Sequence, residues 1–390
     1  MPASRPVPTA QRLRPLSVLV GLALALVCLP PTADAAPRTC TATPFRTNVG
    51  KKVVYRIPSL VVTPKGTLVA FAERRRSTSP SADISDLEIV TARSTDRGCH
   101  WSRPRVIADQ GTGTVGNPSP LVDTSTGEVM LFSVHRPKGG TTGHGFHLQR
   151  STDDGRTFTP YSKAGKDLAG TPRYAGGLTG PGHALQLRSP KSPHRGRLVV
   201  PMGYKDGTRY GAYAVISDNH GTTWKVGYKA TGDDGRIEGT VAELPDGRLW
   251  ISYRNRNAQA PVGTGRIAAF SSDGGSSLDA PFRRAGLPTV SVQGSALALT
   301  GPHAGTLLFS SPARKDPTRR HGMAVFVSRG AKVGKTWSAG RPVQRDSRPG
   351  AYSDLVQLDG ATVGILYETG RTSWKERIDF RSLRIADLVR

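Results

Sequence analysis

The apolar positions of this chain fall in short runs broken by turn chemistry. Arg236–Asn257, RIEGTVAELPDGRLWISYRNRN, shows the pattern best. Two runs, Thr240–Leu244 and Arg248–Tyr253, flank Pro245-Asp246-Gly247. Pro presets φ, Asp bonds nearby backbone, and Gly accepts positive φ, so the segment predicts a β-hairpin. Glu238 stands where the first strand starts and Arg254 where the second ends. Antiparallel pairing puts those two places at one end.

The hairpin recurs at Ser59–Phe71, Pro120–Phe132, Ala184–Pro201, Ala296–Phe309 and Leu355–Tyr367. Each copy is followed by a third apolar run, beginning at Leu87, Gly145, Tyr210, Arg266, Gly322 and Ile378. After the first four of these runs comes a second motif, S-x-D-x-G-x-T-W. It reads Ser94–Trp101, Ser151–Phe158, Ser217–Trp224 and Ser271–Leu278, with a stretched copy at Ser328–Trp337. Asn219 replaces the Asp in the third copy, and Leu278 ends the fourth. Ser and Asp close such a turn on its own backbone, Gly permits positive φ, and the aromatic plugs the core. Repeats on this scale predict an all-β, six-bladed β-propeller.

Strands within a blade run up, down, up. Arg56, Glu238 and Tyr352 precede first strands, Arg254 ends a second strand, and Asp83 and Arg320 precede third strands. All six are expected on one face, and the S-x-D-x-G turns on the other. Three guanidinium forks at one focus suit bidentate capture of one anionic group, a carboxylate or a phosphate.

Composition agrees. The chain has 390 residues, with 45 Gly and 30 Pro, and these 75 residues exceed the about 12% usual for the pair. The net charge of +25 has two readings, a solvated surface of scattered Lys and Arg or attraction to anionic partners. No aromatic-interleaved basic cluster, helix-turn-helix or zinc pattern appears, so nucleic-acid binding is not expected. Residues 1–36 read as a secretory signal peptide: Arg5, Arg12 and Arg14, an apolar run Leu16–Leu29, then Ala33-Asp34-Ala35. Residues 37–390 are expected to form one exported domain with no membrane span. Outside the signal, Cys40 and Cys99 form an even pair, which predicts a disulfide in an oxidising compartment.

Tyr55-Arg56-Ile57-Pro58, the S-x-D-x-G-x-T-W turns, Ala72-Glu73 leading to Asp83, and Gly180-Pro181-Gly182-His183 all belong to one family pattern. So do Glu238–Glu243, Ser252-Tyr253-Arg254-Asn255 and Ala351–Leu355. From Cys40 onward the chain resembles the secreted bacterial exo-α-sialidases, in which the S-x-D-x-G turns are Asp-boxes. The resemblance implies that Arg56, Arg254 and Arg320 grip the sialic acid carboxylate. Arg319 and Arg314 compete for the third place, with Arg320 preferred for its distance to the following strand. It makes Tyr352 the nucleophile, Glu238 the base that activates it, and Asp83 the general acid/base, with Asp86 as competitor. Glu73 is expected to orient Arg56, and Arg75 to line the sugar pocket. His183 is expected to satisfy a backbone bond, and Asn117 to sit in a turn.

A tyrosine suits this substrate. The anomeric carbon of a sialoside carries a carboxylate, so an anionic Asp or Glu attacking there meets like-charge repulsion. A phenol, with an ordinary pKa of about 10, is neutral until a base takes its proton. The expected partners are sialylated oligosaccharides, glycoproteins or glycolipids, met outside the cell by a monomer without metal or cofactor. Transfer to another sugar, an intramolecular anhydro product, and glycan binding without turnover are the competing outcomes.

Overall fold

The computed structural model describes residues 39–48, 50, 52–76, 83, 85–138, 145–160, 162–163, 178–206, 209–232, 236–256, 265–313, 320–344 and 347–390, with Met1 and Ala3. The chain divides into two compact units, Met1–Ala36 and Pro37–Arg390. Apart from Met1 and Ala3, the expected signal peptide lies outside the described residues, as do Arg314 and Arg319. All the described strands belong to the second unit. Among the described residues no helix is long and apolar enough to cross a membrane.

Five hydrogen-bonded sheets account for the described strands. Four are blade-sized, three with four strands and one with five; the fifth has eight. The sequence predicted six separate blades. The difference arises where the third strand of the first repeat, Leu87–Ser94, meets the first strand of the second, Thr114–Val122. A parallel pairing of Leu87 with Thr114 joins the two repeats into one sheet.

Within each repeat the chain crosses back and forth in order, as in Arg236–Glu243, Leu249–Asn255, Arg266–Ser271 and Arg283–Arg284. The first strands pack against one another in a closed circuit. Val54–Val62 touches Thr114–Val122, which touches Leu178–Thr179, which touches Arg236–Glu243. Arg236–Glu243 touches Ser295–Ala298, which touches Gly350–Gln357, which returns to Val54–Val62. This is a β-propeller. The N-terminal strand, Thr41–Arg46, pairs with Arg377–Arg384, so the last sheet is completed from the start of the chain. Radial repetition of this kind leaves only short, protected sheet edges. Cys40 and Cys99 are joined as a disulfide, with their Cα atoms 4.9 Å apart.

The core lies between neighbouring sheets. Leu121, Met130, Phe132 and Leu148 from one repeat pack on Leu198, Val200, Met202, Tyr213, Val215 and Trp224 from the next. Trp224 meets Phe132 edge-on at 4.9 Å and donates its indole N–H to the Gly221 carbonyl. The buried ring therefore loses no hydrogen bond, and its burial stabilises by about 1.5–3 kcal/mol. The turns close on themselves. Ser151 donates to Asp153 at 2.8 Å, and Asp153 accepts from the Thr157 N–H at 2.8 Å. Asn219 serves in place of Asp, taking the Thr223 N–H at 2.9 Å. Gly98, at φ 90°, cannot be replaced, since a Cβ there would collide with the Phe380 ring.

One buried carboxylate ties the axis together. Asp354, fully buried, accepts from the Leu60 N–H, the His183 N–H and the Ser295 hydroxyl at 2.8, 2.9 and 2.7 Å. His183 Nδ1 lies 2.7 Å from Asp354 Oδ1. His183 was expected to satisfy a backbone bond; its ring pairs with the Asp354 carboxylate instead. Burial alone would lower the His183 pKa, but the Asp354 charge and hydrogen bond raise it overall.

Candidate active site

At one mouth of the ring the first strands share a local irregularity. In the first repeat the pairing shifts between Arg56 and Ser59, and Ile57 takes φ 56°. In the second it shifts between Gly116 and Ser119, and Asn117 takes φ 52°. In the fourth it shifts between Ile237 and Gly239, and the extra residue is Glu238 at φ 56°. In the sixth it shifts between Gly350 and Ser353, around Tyr352. A bulge re-aims side chains at a sheet's rim, and positive φ away from glycine stores strain of about 1–3 kcal/mol. Asn117, expected in a turn, is therefore a bulge residue inside a strand. Gly239 follows Glu238 because a Cβ there would lie 2.6 Å from the Tyr253 ring.

The bulges bring Glu238 and Tyr352 into contact. The Tyr352 hydroxyl donates to Glu238 Oε1. Arg254, ending the next strand, donates Nη1 to Glu238 Oε2 at 3.1 Å and its Nε to the Ser291 hydroxyl at 3.2 Å. The Arg56 guanidinium carbon lies 5.3 Å from the Tyr352 ring centre, and that of Arg320 lies 5.8 Å from it. Trp374 sits beside both, 4.2 Å from Arg56 and 5.4 Å from Arg320. Arg320 is placed by its own carbonyl, which accepts the Gly350 N–H at 2.9 Å at the start of the Tyr352 strand.

Tyr352 is 7% exposed. Burial pushes its phenol pKa above the ordinary value, and the Glu238 charge pushes the same way. Arg254, Arg320 and Arg56 oppose them without reversing the shift. The resting phenol is therefore neutral, with a base already bonded to it. For Arg254, burial disfavours the charge, but Glu238 and Tyr352 outweigh it and raise its pKa.

Two side chains depart from expectation. Glu73 was expected to orient Arg56. Arg56 instead donates Nε to Glu368 Oε1 at 2.6 Å. Glu368 also accepts the N–H of Ile57 at 2.9 Å and of Tyr352 at 3.1 Å, so one carboxylate fastens two bulges. Glu73 shares a strand face with Arg75, two residues on, and takes its Nε and Nη2 at 2.9 and 2.6 Å. Its second oxygen accepts the Asn117 N–H at 2.8 Å. Arg75 was expected to line the pocket. It is 2% exposed, and its Nη1 donates to Asp83 at 2.9 Å, so its guanidinium is shared between Glu73 and Asp83. Burial would lower the Arg75 pKa, but Glu73 and Asp83 together raise it.

Asp83 has a well-exposed side chain beside this buried arginine. Lys375, at the mouth, feels the charges of Arg56, Arg75, Asp83 and Glu368. Burial raises the Asp86 pKa, with Glu88 and Asp109 adding to the rise and Arg76 and Arg74 opposing it. Glu368 went unnoticed in the sequence, although it ends a second strand just as Arg254 does. The strand-end rule that found Arg254 would have found it. Among the described residues no three His, Cys, Asp or Glu side chains are grouped to hold a metal ion.

Fold and site together define a β-propeller with a cationic mouth built over a buried phenol–carboxylate pair. Residues 66–365 match the BNR repeat-like domain family. The chain is 31% identical to Sialidase-2 of Mus musculus over 364 residues, covering 84% of this chain and 91% of that protein. It is 32% identical to a sialidase of Micromonospora viridifaciens over 342 residues, covering 81% of this chain but only 50% of that protein. The solved Hadza microbial sialidase Hz136 superposes with a TM-score of 0.75 at 25% identity, covering 90% of this chain and 69% of that one. The chain belongs to the sialidase family of glycoside hydrolases.

Proposed function

We propose that this protein is a retaining exo-α-sialidase that releases terminal sialic acids from glycoconjugates through a covalent sialyl-tyrosine. The observation that carries the reading is the Tyr352–Glu238 hydrogen bond beneath Arg56, Arg254 and Arg320. The three guanidinium groups would hold the substrate carboxylate and so place the anomeric carbon over the phenol oxygen. Asp83 protonates the departing glycosidic oxygen as that bond breaks. Tyr352 forms the new bond to the anomeric carbon while Glu238 takes its proton. A water molecule then gives a proton to Asp83 and attacks the same carbon, and Glu238 returns its proton to Tyr352. Two displacements at one carbon leave its configuration unchanged. A tyrosine nucleophile sets this scheme apart from the two-carboxylate scheme of most glycosidases.

The same reading takes the eight-stranded sheet as two blades, giving six around the axis, with the Ser-Asp turns as Asp-boxes. It takes residues 1–36 as an export signal and the working protein as a secreted monomer. The test is incubation with a 4-methylumbelliferyl α-sialoside and with α2,3-, α2,6- and α2,8-linked substrates, with products followed by proton NMR. Free sialic acid appearing first as the α-anomer is the expected result. An anhydro sugar, a transfer product, or binding without turnover would each replace the hydrolytic reading.

A further inference from the structure

Several buried charges lie outside the proposed mechanism, Glu88, Arg197 and Arg266 among them. Arg266 opens the third strand of the fourth repeat and has no exposed surface. Among the described residues it makes no ion pair. Its guanidinium is instead spent on neutral oxygens: Nε to the Ser252 hydroxyl at 3.2 Å, Nη2 to the Ser252 carbonyl at 3.0 Å, and Nη1 to the carbonyls of Glu238 and Val292 at 3.3 and 3.4 Å. The Phe309 ring lies 5.3 Å away on one side. A cation buried this way is costly unless something offsets it. Burial brings its pKa down to about 9, with Arg254 adding to the fall and Glu238 the foremost charge opposing it.

The bond to Glu238 is made to its backbone, at the residue with φ 56° that the bulge leaves without a cross-strand partner. Glu238 has no side-chain mechanism of its own to stay in that conformation, unlike Asn or Asp. Ser252 lies on the neighbouring strand and Val292 on the segment leading to the next repeat, so the fork ties three elements to the Glu238 carbonyl. A flat, rigid donor set can do this where a lysine cannot.

We propose that Arg266 is a positioning residue for the reaction: it locks the left-handed backbone at Glu238, and so aims the Glu238 carboxylate at the Tyr352 hydroxyl, without touching substrate. This deepens the sialidase reading and rests on it. Arg266 bonds the Glu238 backbone and has no exposed surface, whereas Arg254 bonds the Glu238 carboxylate and keeps part of its side chain exposed. Loss of Arg266 therefore harms the chemical step, and loss of Arg254 harms substrate binding as well.

The test compares wild type with Arg266→Met and Arg266→Lys, by sialoside kinetics and by crystal structures. Expected for Arg266→Met is a fall in kcat of about 10²-fold with KM within about twofold, scaled to the fraction folded by thermal melting. Arg266→Lys keeps the charge but loses the fork, and is expected to recover only a minor part of kcat. In the Arg266→Met crystal, Glu238 should leave positive φ and its contact with Tyr352 should open. Unchanged kcat in an active, folded variant would overturn the inference, as would Glu238 retaining φ near its present value with the Tyr352 contact intact. If Arg266→Met does not fold, the same two readouts on Arg266→Lys decide. If wild type shows no turnover, the sialidase reading falls, and the crystal structures still judge whether Arg266 sets the Glu238 backbone.

Discussion

Asp153 in a Ser-Asp turn and Glu368 at the mouth are two carboxylates held still by opposite means. In the turn, Asp153 is fixed by Ser151, Arg156 and Thr157, all within four residues of it. At the mouth, Glu368 is fixed by Arg56 and Ile57, 312 and 311 positions away. Tyr352 meets Glu238 across 114 positions. The turn is complete as soon as its own segment folds. The mouth exists only once the ring has closed, because its parts come from the first, fourth, fifth and sixth repeats. The bonds to Asp153 stay within its own segment, whereas those to Glu368 couple the site to the closure of the whole fold.

Substitutions can break that contrast. The largest effect is expected at the mouth. Tyr352→Phe removes the attacking oxygen while keeping the ring beside Arg56 and Arg320, so kcat should fall by about 10⁴-fold or more with little change in melting temperature. Steady-state kinetics on a fluorogenic sialoside measures this; a variant near wild-type rate would remove Tyr352 from the chemistry. Glu368→Ala should come next. It strands the buried Arg56 guanidinium and two bulge N–H groups, so stability should drop by about 3–5 kcal/mol in urea titration, with KM raised. A loss no larger than that of an exposed ion pair would mean that Arg56 is held by something other than Glu368.

The turn should respond less. Asp153→Ala ought to cost about 1 kcal/mol in the same titration and leave kcat and KM alone. A kinetic effect there would show that the two places are coupled after all. The smallest effect is the pH dependence of that difference. Burial would raise the Asp153 pKa, but bonds from Thr157 and Ser151 hold it at about 2. A carboxylate depressed in the folded state adds stability above its unfolded pKa of about 3.9 and loses it as pH falls through the folded value. The gap between wild type and Asp153→Ala should therefore narrow from about pH 4 down to about 2. A gap that is flat over that range would argue against the depressed pKa.

The same contrast explains what could be read early. Gly98 and Gly155 mark their turns because positive φ is a local demand that only certain residues meet, and the S-x-D-x-G spacing states it outright. Tyr352, Glu238, Arg56 and Arg254 were legible because strand direction alone sorts residues to one face. The partners within that face were not. Glu73 stands opposite Arg56 in register, yet bonds Arg75, and Arg56 reaches across to Glu368. Nothing in strand order distinguishes those two carboxylates. The bulges at Ile57 and Glu238 were hidden for a related reason: neither Ile nor Glu advertises positive φ, and both are held there by surroundings.

The chain's own order of residues determined the repeat, the turns, the β class and the face on which the chemistry gathers, since each follows from alternation, turn preference and strand direction over a few residues. Only the folded ring decided that Thr41–Arg46 completes the last sheet, that two repeats share a parallel pairing, and that Glu368 rather than Glu73 holds Arg56. Those outcomes depend on distances between segments far apart in the chain, and such distances have no value until the apolar faces of neighbouring sheets have packed.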